Sequence, residues 1–102
     1  MLFVSHWKVS QTLPLEKRLA AAQKVMEKGL FPPKGVKVNT WLTTPDDWGI
    51  LVLEADKAED VVRAIDVWRA ATPDFFTEVK TSPAVSIQDV MKLAGELIQK
   101  LK

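Results

Sequence analysis

Residues Val36–Trp68 read VKVNTWLTTPDDWGILVLEADKAEDVVRAIDVW, and this stretch carries two strands and a helix in one run. Val36, Val38, Thr40 and Leu42 alternate with Lys37, Asn39, Trp41 and Thr43, the period-two pattern of a strand with unlike faces. Thr44-Pro45-Asp46-Asp47 is turn chemistry, and Gly49 to Glu54 resumes as a nearly continuous apolar strand, so the two pair as a hairpin. At Asp56 the period changes. Asp56 with Glu59 three residues on is a capping-box pattern, and Val61, Ala64, Ile65 and Trp68 then form one apolar stripe until Thr72-Pro73-Asp74 ends the helix.

Toward the N-terminus, Leu2 to Val9 is a β-branched and aromatic strand, and Thr12 can cap a helix with Pro14 near its start. Leu15, Leu19, Ala22 and Met26 recur on one face of that helix until Gly29 ends it, and Phe31-Pro32-Pro33-Lys34-Gly35 turns the chain into the hairpin. Toward the C-terminus, Phe75 to Thr81 is a short fourth strand. Ser86 with Asp89 then caps an amphipathic helix, whose apolar face carries Ile87, Val90, Met91, Ala94, Leu97, Ile98 and Leu101 and whose interior holds Gly95. The order is βαββαβ plus a C-terminal helix. It predicts an α+β, ferredoxin-like fold with a four-stranded antiparallel sheet, in one domain over 1–102 with a core over about 1–85 and a helix over about 86–102.

Composition narrows the function classes. The chain has 102 residues, 47% hydrophobic and 26% charged, which is ordinary globular usage. Its net charge of +1 gives no field to hold a phosphate backbone, and the basic surface of an RNA-binding sheet is missing, so no nucleic-acid partner is expected. The absence of cysteine rules out disulfides, thiolate metal sites and thiol nucleophiles. His6 and Lys8 interrupt the opening apolar run far short of a membrane span, and a cytoplasmic protein with no membrane partner is the expectation.

Split by parity, the strands give one face of Phe3, Ser5, Trp7, Val9, Val36, Val38, Thr40, Leu42, Leu51, Leu53, Phe75, Thr77 and Val79, which belongs under the first two helices. The other parity collects His6, Lys8, Lys37, Asn39, Glu54, Glu78 and Lys80 among Leu2, Val4, Trp41, Ile50, Val52 and Phe76. That second face is too apolar for water. Covering about 600 Å² of it is worth on the order of 15 kcal/mol gross, so a second copy packed sheet to sheet is expected, with the third helix folded over its own sheet as the competing cover.

His6-Trp7 in the opening strand, Trp41 in the second, the run Gly49-Ile50-Leu51-Val52-Leu53-Glu54-Ala55-Asp56 and the exit Ser82-Pro83-Ala84-Val85 resemble the dimeric α+β barrel superfamily, over nearly the whole chain. Within it the chain is similar to small bacterial and archaeal domains of unknown function. The resemblance implies a homodimeric barrel. Cofactor-independent monooxygenases, muconolactone-isomerase-like enzymes and haem-handling proteins share that fold, so it selects no single reaction.

The second face supplies the candidate chemistry. His6, the one histidine, can act as a general acid or base near neutral pH with Glu78 as its carboxylate, or can be a neutral histidine satisfied by a neighbour. Asn39, Trp41, Glu54 and Phe76 complete a site for a small hydrophobic or aromatic ligand held between the sheets, with Trp41 and Phe76 as its walls. The plainer roles are packing for Trp41 and pairing with Lys8, Lys37 or Lys80 for the two glutamates. His6 with both glutamates also has the donor types of a metal site, but no spacing supports one, and no cofactor or metal is expected. Trp7 and Trp68 sit in helix-packing stripes, Trp48 is either an exposed recognition group or, more plainly, a cap on the turn, and Asp46-Asp47 is a turn and not a calcium loop. No phosphate-binding glycine loop or Ser-His-Asp order occurs. Ligand binding with acid–base chemistry at His6 is the first functional reading; a non-catalytic structural or regulatory dimerisation module is the alternative.

Overall fold

A computed structural model describes residues 1–102 throughout. The elements are β1 (Leu2–Val9), α1 (Leu15–Glu27), β2 (Val36–Thr43), β3 (Trp48–Ala55), α2 (Ala58–Ala71), β4 (Phe76–Ala84) and α3 (Ile87–Lys100), the order expected from the sequence. The four strands form one antiparallel sheet in the order β2-β3-β1-β4, which is the ferredoxin-like arrangement. No helix is long and apolar enough to cross a membrane.

One face of the sheet is covered by helices. Phe3, Val9, Val36, Leu51 and Leu53 are buried there with Val61, Ala64, Ile65 and Trp68 of α2, the whole of the stripe read from the sequence. Ser5 is also fully buried on this face, and its hydroxyl lies 2.9 Å from that of Thr81 on β4. Pro83 is accommodated in β4 because that strand is an edge, where a missing N–H costs no ladder bond.

α1 departs from expectation in phase. Leu15, Leu19 and Met26 are exposed, and the buried positions are Ala21 and Val25. The helical period is right, but the small side chains face inward and let α1 lie close to α2. Thr12 does not cap α1. The cap position is Pro14, and the Thr12 hydroxyl instead lies 2.9 Å from that of Ser10. Nor does Asp56 cap α2, which starts from Lys57 without a side-chain cap bond. Ser86 does cap α3, accepting the Asp89 N–H at 3.1 Å, and α3 runs unbroken through Gly95.

The parity of the sheet changes at both edges. In β2, Val38 pairs with Leu53 and Thr40 with Val52, so Asn39 has no partner on β3. In β4, Glu78 pairs with Lys8 and Phe76 with Val9, so Thr77 has no partner on β1. Each extra residue is a β-bulge, and a one-residue slip moves every side chain beyond it to the other face. Trp41 and Phe76 therefore sit on the helix-covered face, opposite to the expected one, while Thr40 and Leu42 pass to the open face.

The β1–α1 connection is tied to the hairpin turn by one arginine. Arg18 donates through Nε to the Leu13 carbonyl at 2.9 Å, through Nη2 to the Ser10 carbonyl at 3.1 Å and through Nη1 to the Asp47 carboxylate at 2.8 Å. Asp47 occupies the left-handed region with φ 64°, and its carbonyl accepts the Val9 N–H at 2.8 Å, so turn and strand are locked together. Arg18→Ala should cost about 2 kcal/mol in urea unfolding, against less than about 1 kcal/mol for Arg63→Ala, whose side chain stays 62% exposed while it pairs with Glu59 and Asp60. Equal losses would contradict the tie.

Candidate functional site

Because both bulges turn an aromatic inward, the helix-covered face holds a cavity between the sheet and α2. Its lining is Trp7, Val9, Phe31, Trp41, Leu51, Ile65, Trp68, Phe75 and Phe76, six of them aromatic, around about 90 Å³ of space. The rings form a continuous series. Trp41 lies 4.8 Å from Phe31 and 5.8 Å from Trp68, Trp68 lies 5.5 Å from Phe75, Phe75 lies 4.8 Å from Phe76, and Phe76 lies 6.2 Å from Trp7. Interplanar angles of 42° to 75° are the tilted and edge-on packings that aromatic quadrupoles prefer.

Sequence chemistry explains each wall. Trp7 lies across Gly49 of β3, its cross-strand partner, and a Cβ at that glycine would strike both the Trp7 ring and the Leu42 carbonyl. Only a residue without a side chain lets the indole lie there. Phe31 is buried from the Phe31–Gly35 turn, and Trp68 arrives on the α2 stripe. Outside the lining, the Arg69 guanidinium stands 5.9 Å from the Phe76 ring centroid while pairing with Asp66 at 3.0 Å. The lining itself contains no acid, base or nucleophile. Trp41 is 45% exposed, so one wall of the cavity reaches the surface.

The polar candidates lie on the other side of the sheet. His6 pairs across the ladder with Ile50 and Lys80, and its ring lies 5.5 Å from that of Trp48. Glu78 is on the same open face but is engaged by Lys80 at 3.2 Å. Glu54 pairs with Leu2 and Lys37, four residues along β3 from the partner of His6, a separation of about 13 Å. His6, Glu54 and Glu78 thus do not converge on one point. Asn39 is the exposed, unpaired residue of the β2 bulge.

The expected site is therefore divided. The sheet stands between Trp41 and Phe76, which share the aromatic cavity, and His6, Glu54 and Glu78, which do not. Trp68 and Phe75 are in the core as expected, with Trp7 packed against it, and together with Phe31 they also line this space.

A family model matches residues 1–98 of the chain. The chain belongs to the domain of unknown function DUF3303. No curated protein matches this DUF3303 sequence significantly. Among solved structures it is similar to a protein described as an antibiotic biosynthesis monooxygenase from Nitrosomonas europaea, with 16% identity, 84% of this chain and 97% of that chain covered, and a TM-score of 0.52. It is also similar to an uncharacterized NIPSNAP domain protein from Burkholderia xenovorans, with 13% identity, 85% and 96% covered, and a TM-score of 0.51. At such identities the likeness establishes the fold alone, and the ferredoxin-like order read from the sequence agrees with it.

Replacing Gly49 with Ala should expel the Trp7 indole from its place. The expected result is a loss of about 1–3 kcal/mol in stability with a changed near-ultraviolet circular dichroism signal. Unchanged stability and spectrum would mean that the indole does not lie on that backbone.

Proposed function

We propose that this DUF3303 protein binds a small, flat, apolar molecule in the aromatic cavity and acts as a homodimer whose open sheet faces meet. The observation that carries the binding reading is the convergence of six aromatic rings on one space, achieved only because two bulges reverse the natural parity of Trp41 and Phe76. Aromatic walls with an exposed ring at the edge suit a planar ligand that slides between rings. The volume limits its size. About 90 Å³ is less than the roughly 150 Å³ of an engineered apolar cavity that takes up benzene, so even one ring must displace the outermost wall, Trp41.

The homodimer is supported by the open face. With the bulges included, that face presents Leu2, Val4, Leu42, Trp48, Ile50 and Val52, and α3 does not lie over it. An apolar surface of this kind on a sheet calls for a second layer. Acid–base chemistry at His6, with Glu78 on the neighbouring strand and Asn39 and Glu54 farther off, would belong to the space between two such sheets. It would not serve a molecule held in the aromatic cavity.

The small volume favours a second reading, in which the aromatics only pack and the protein is a structural or regulatory dimerisation module. Phenol, a one-ring probe, separates the two. Titrated into the protein while the four indole N–H signals are followed by nuclear magnetic resonance, it should shift Trp41 and Trp68 and leave Trp48 in place. Shifts at Trp48 alone would place binding on the open face. No shift up to the solubility limit would leave the packing module as the account.

A further inference from the structure

α3 is a formed helix with nothing to rest on. Its Ser86 cap is made, its apolar side carries Ile87, Val90, Met91, Leu97 and Ile98, and none of its residues is buried. A helix of 14 residues, about 21 Å long, is marginal in water unless its apolar side is packed. The rest of the molecule reports the same deficit. The chain exposes 7351 Å², whereas a compact monomer of 11.4 kDa exposes about 5,800 Å², an excess of about 1,600 Å². Its radius of gyration is 16.7 Å, against about 13 Å for a compact chain of this length.

We propose that α3 is an exchanged arm: the α3 stripe of each protomer docks on a second copy of this chain, which returns its own α3 in kind. The arm rests on the sheet pairing proposed above and changes its character. A sheet patch of about 600 Å² per chain makes a dimer at the weak end of specific interfaces, near 1,200 Å² in total. Covering the full excess on both chains buries about 3,200 Å², within the range of obligate homodimers. Reciprocal exchange satisfies both arms at once by a twofold axis and leaves no open end to polymerise. The polar side of α3 bears Asp89, Lys92, Glu96 and Lys100, alternating in sign, so it offers no basic field for an anionic membrane.

The test uses the full chain in four forms followed by sedimentation equilibrium: the native protein, Leu97→Glu with Ile98→Glu on the stripe, Gln99→Glu off it, and Val52→Lys on the open sheet face. The native protein and Gln99→Glu should be equally tight dimers, and the stripe variant should dissociate at least about 100-fold more readily with its tryptophan dichroism intact, because α3 contributes nothing to the core of its own protomer. Val52→Lys should weaken the dimer as well. A stripe variant as tight as native overturns the arm and leaves the sheet pairing standing. A monomeric native protein, or one that binds phosphatidylcholine–phosphatidylglycerol vesicles in place of itself, overturns both. Should the stripe variant misfold, hydrogen exchange on the native protein decides. Slow α3 amides that become fast on hundredfold dilution support exchange, and amides fast at both concentrations contradict it.

Discussion

A β-strand has two faces, and a single unpaired residue exchanges them. The two bulges here fall in β2 and β4, the two edges of the sheet, where a strand has one ladder to disturb and bulges are commonest. Asn39 sends Trp41 toward α2 and Thr77 sends Phe76 toward it from the opposite edge. The aromatic cavity exists because these slips point the same way. Without them two large rings would stand on the open face, and the space below α2 would lose a wall on each side.

The sheet thereby separates two chemistries. Beneath the helices lie rings with no titratable group in the lining, closed by an indole resting on Gly49 and braced where Arg18 ties the hairpin turn to the start of α1. On the open side lie His6, Trp48 and the Glu78–Lys80 pair among aliphatic residues. A ligand on one side is about a sheet's thickness from the imidazole on the other, so binding in the cavity and proton transfer at His6 cannot be parts of one event. α3 carries a third kind of surface, an apolar stripe with no buried residue.

Most of the fold was legible because it rests on local pattern. The change from period two to helical spacing after Glu54, the α2 stripe ending at Trp68 and the Ser86 cap all read correctly, as each is decided by a few adjacent residues. The phase of α1 was not legible. Leu15, Leu19 and Met26 make the stronger stripe by residue type, and only the close approach to α2 selects Ala21 and Val25. The faces of Trp41 and Phe76 were misplaced for a related reason, because parity was carried unbroken through Asn39 and Thr77. A signal was present: Trp41-Leu42 and Phe75-Phe76 place large apolar residues side by side, which a regular strand with one wet face does not tolerate, and Asn is poorly suited to strand interiors. In β2 the strand-averse Asn39 beside hydrophobic neighbours marks the bulge, whereas Thr77 favours strands and gives β4 no such sign, and choosing which neighbour faces inward needs the helix layer.

The inward placement of Trp41 is the claim on which the cavity, the ligand and the division of the site all rest. Nuclear Overhauser contacts from the Trp41 ring protons test it directly. The bulged register predicts contacts to Phe31 and Trp68, at ring-centroid separations of 4.8 and 5.8 Å. Contacts to Ile50 or His6, with none to Trp68, would return Trp41 to the open face and dissolve the cavity.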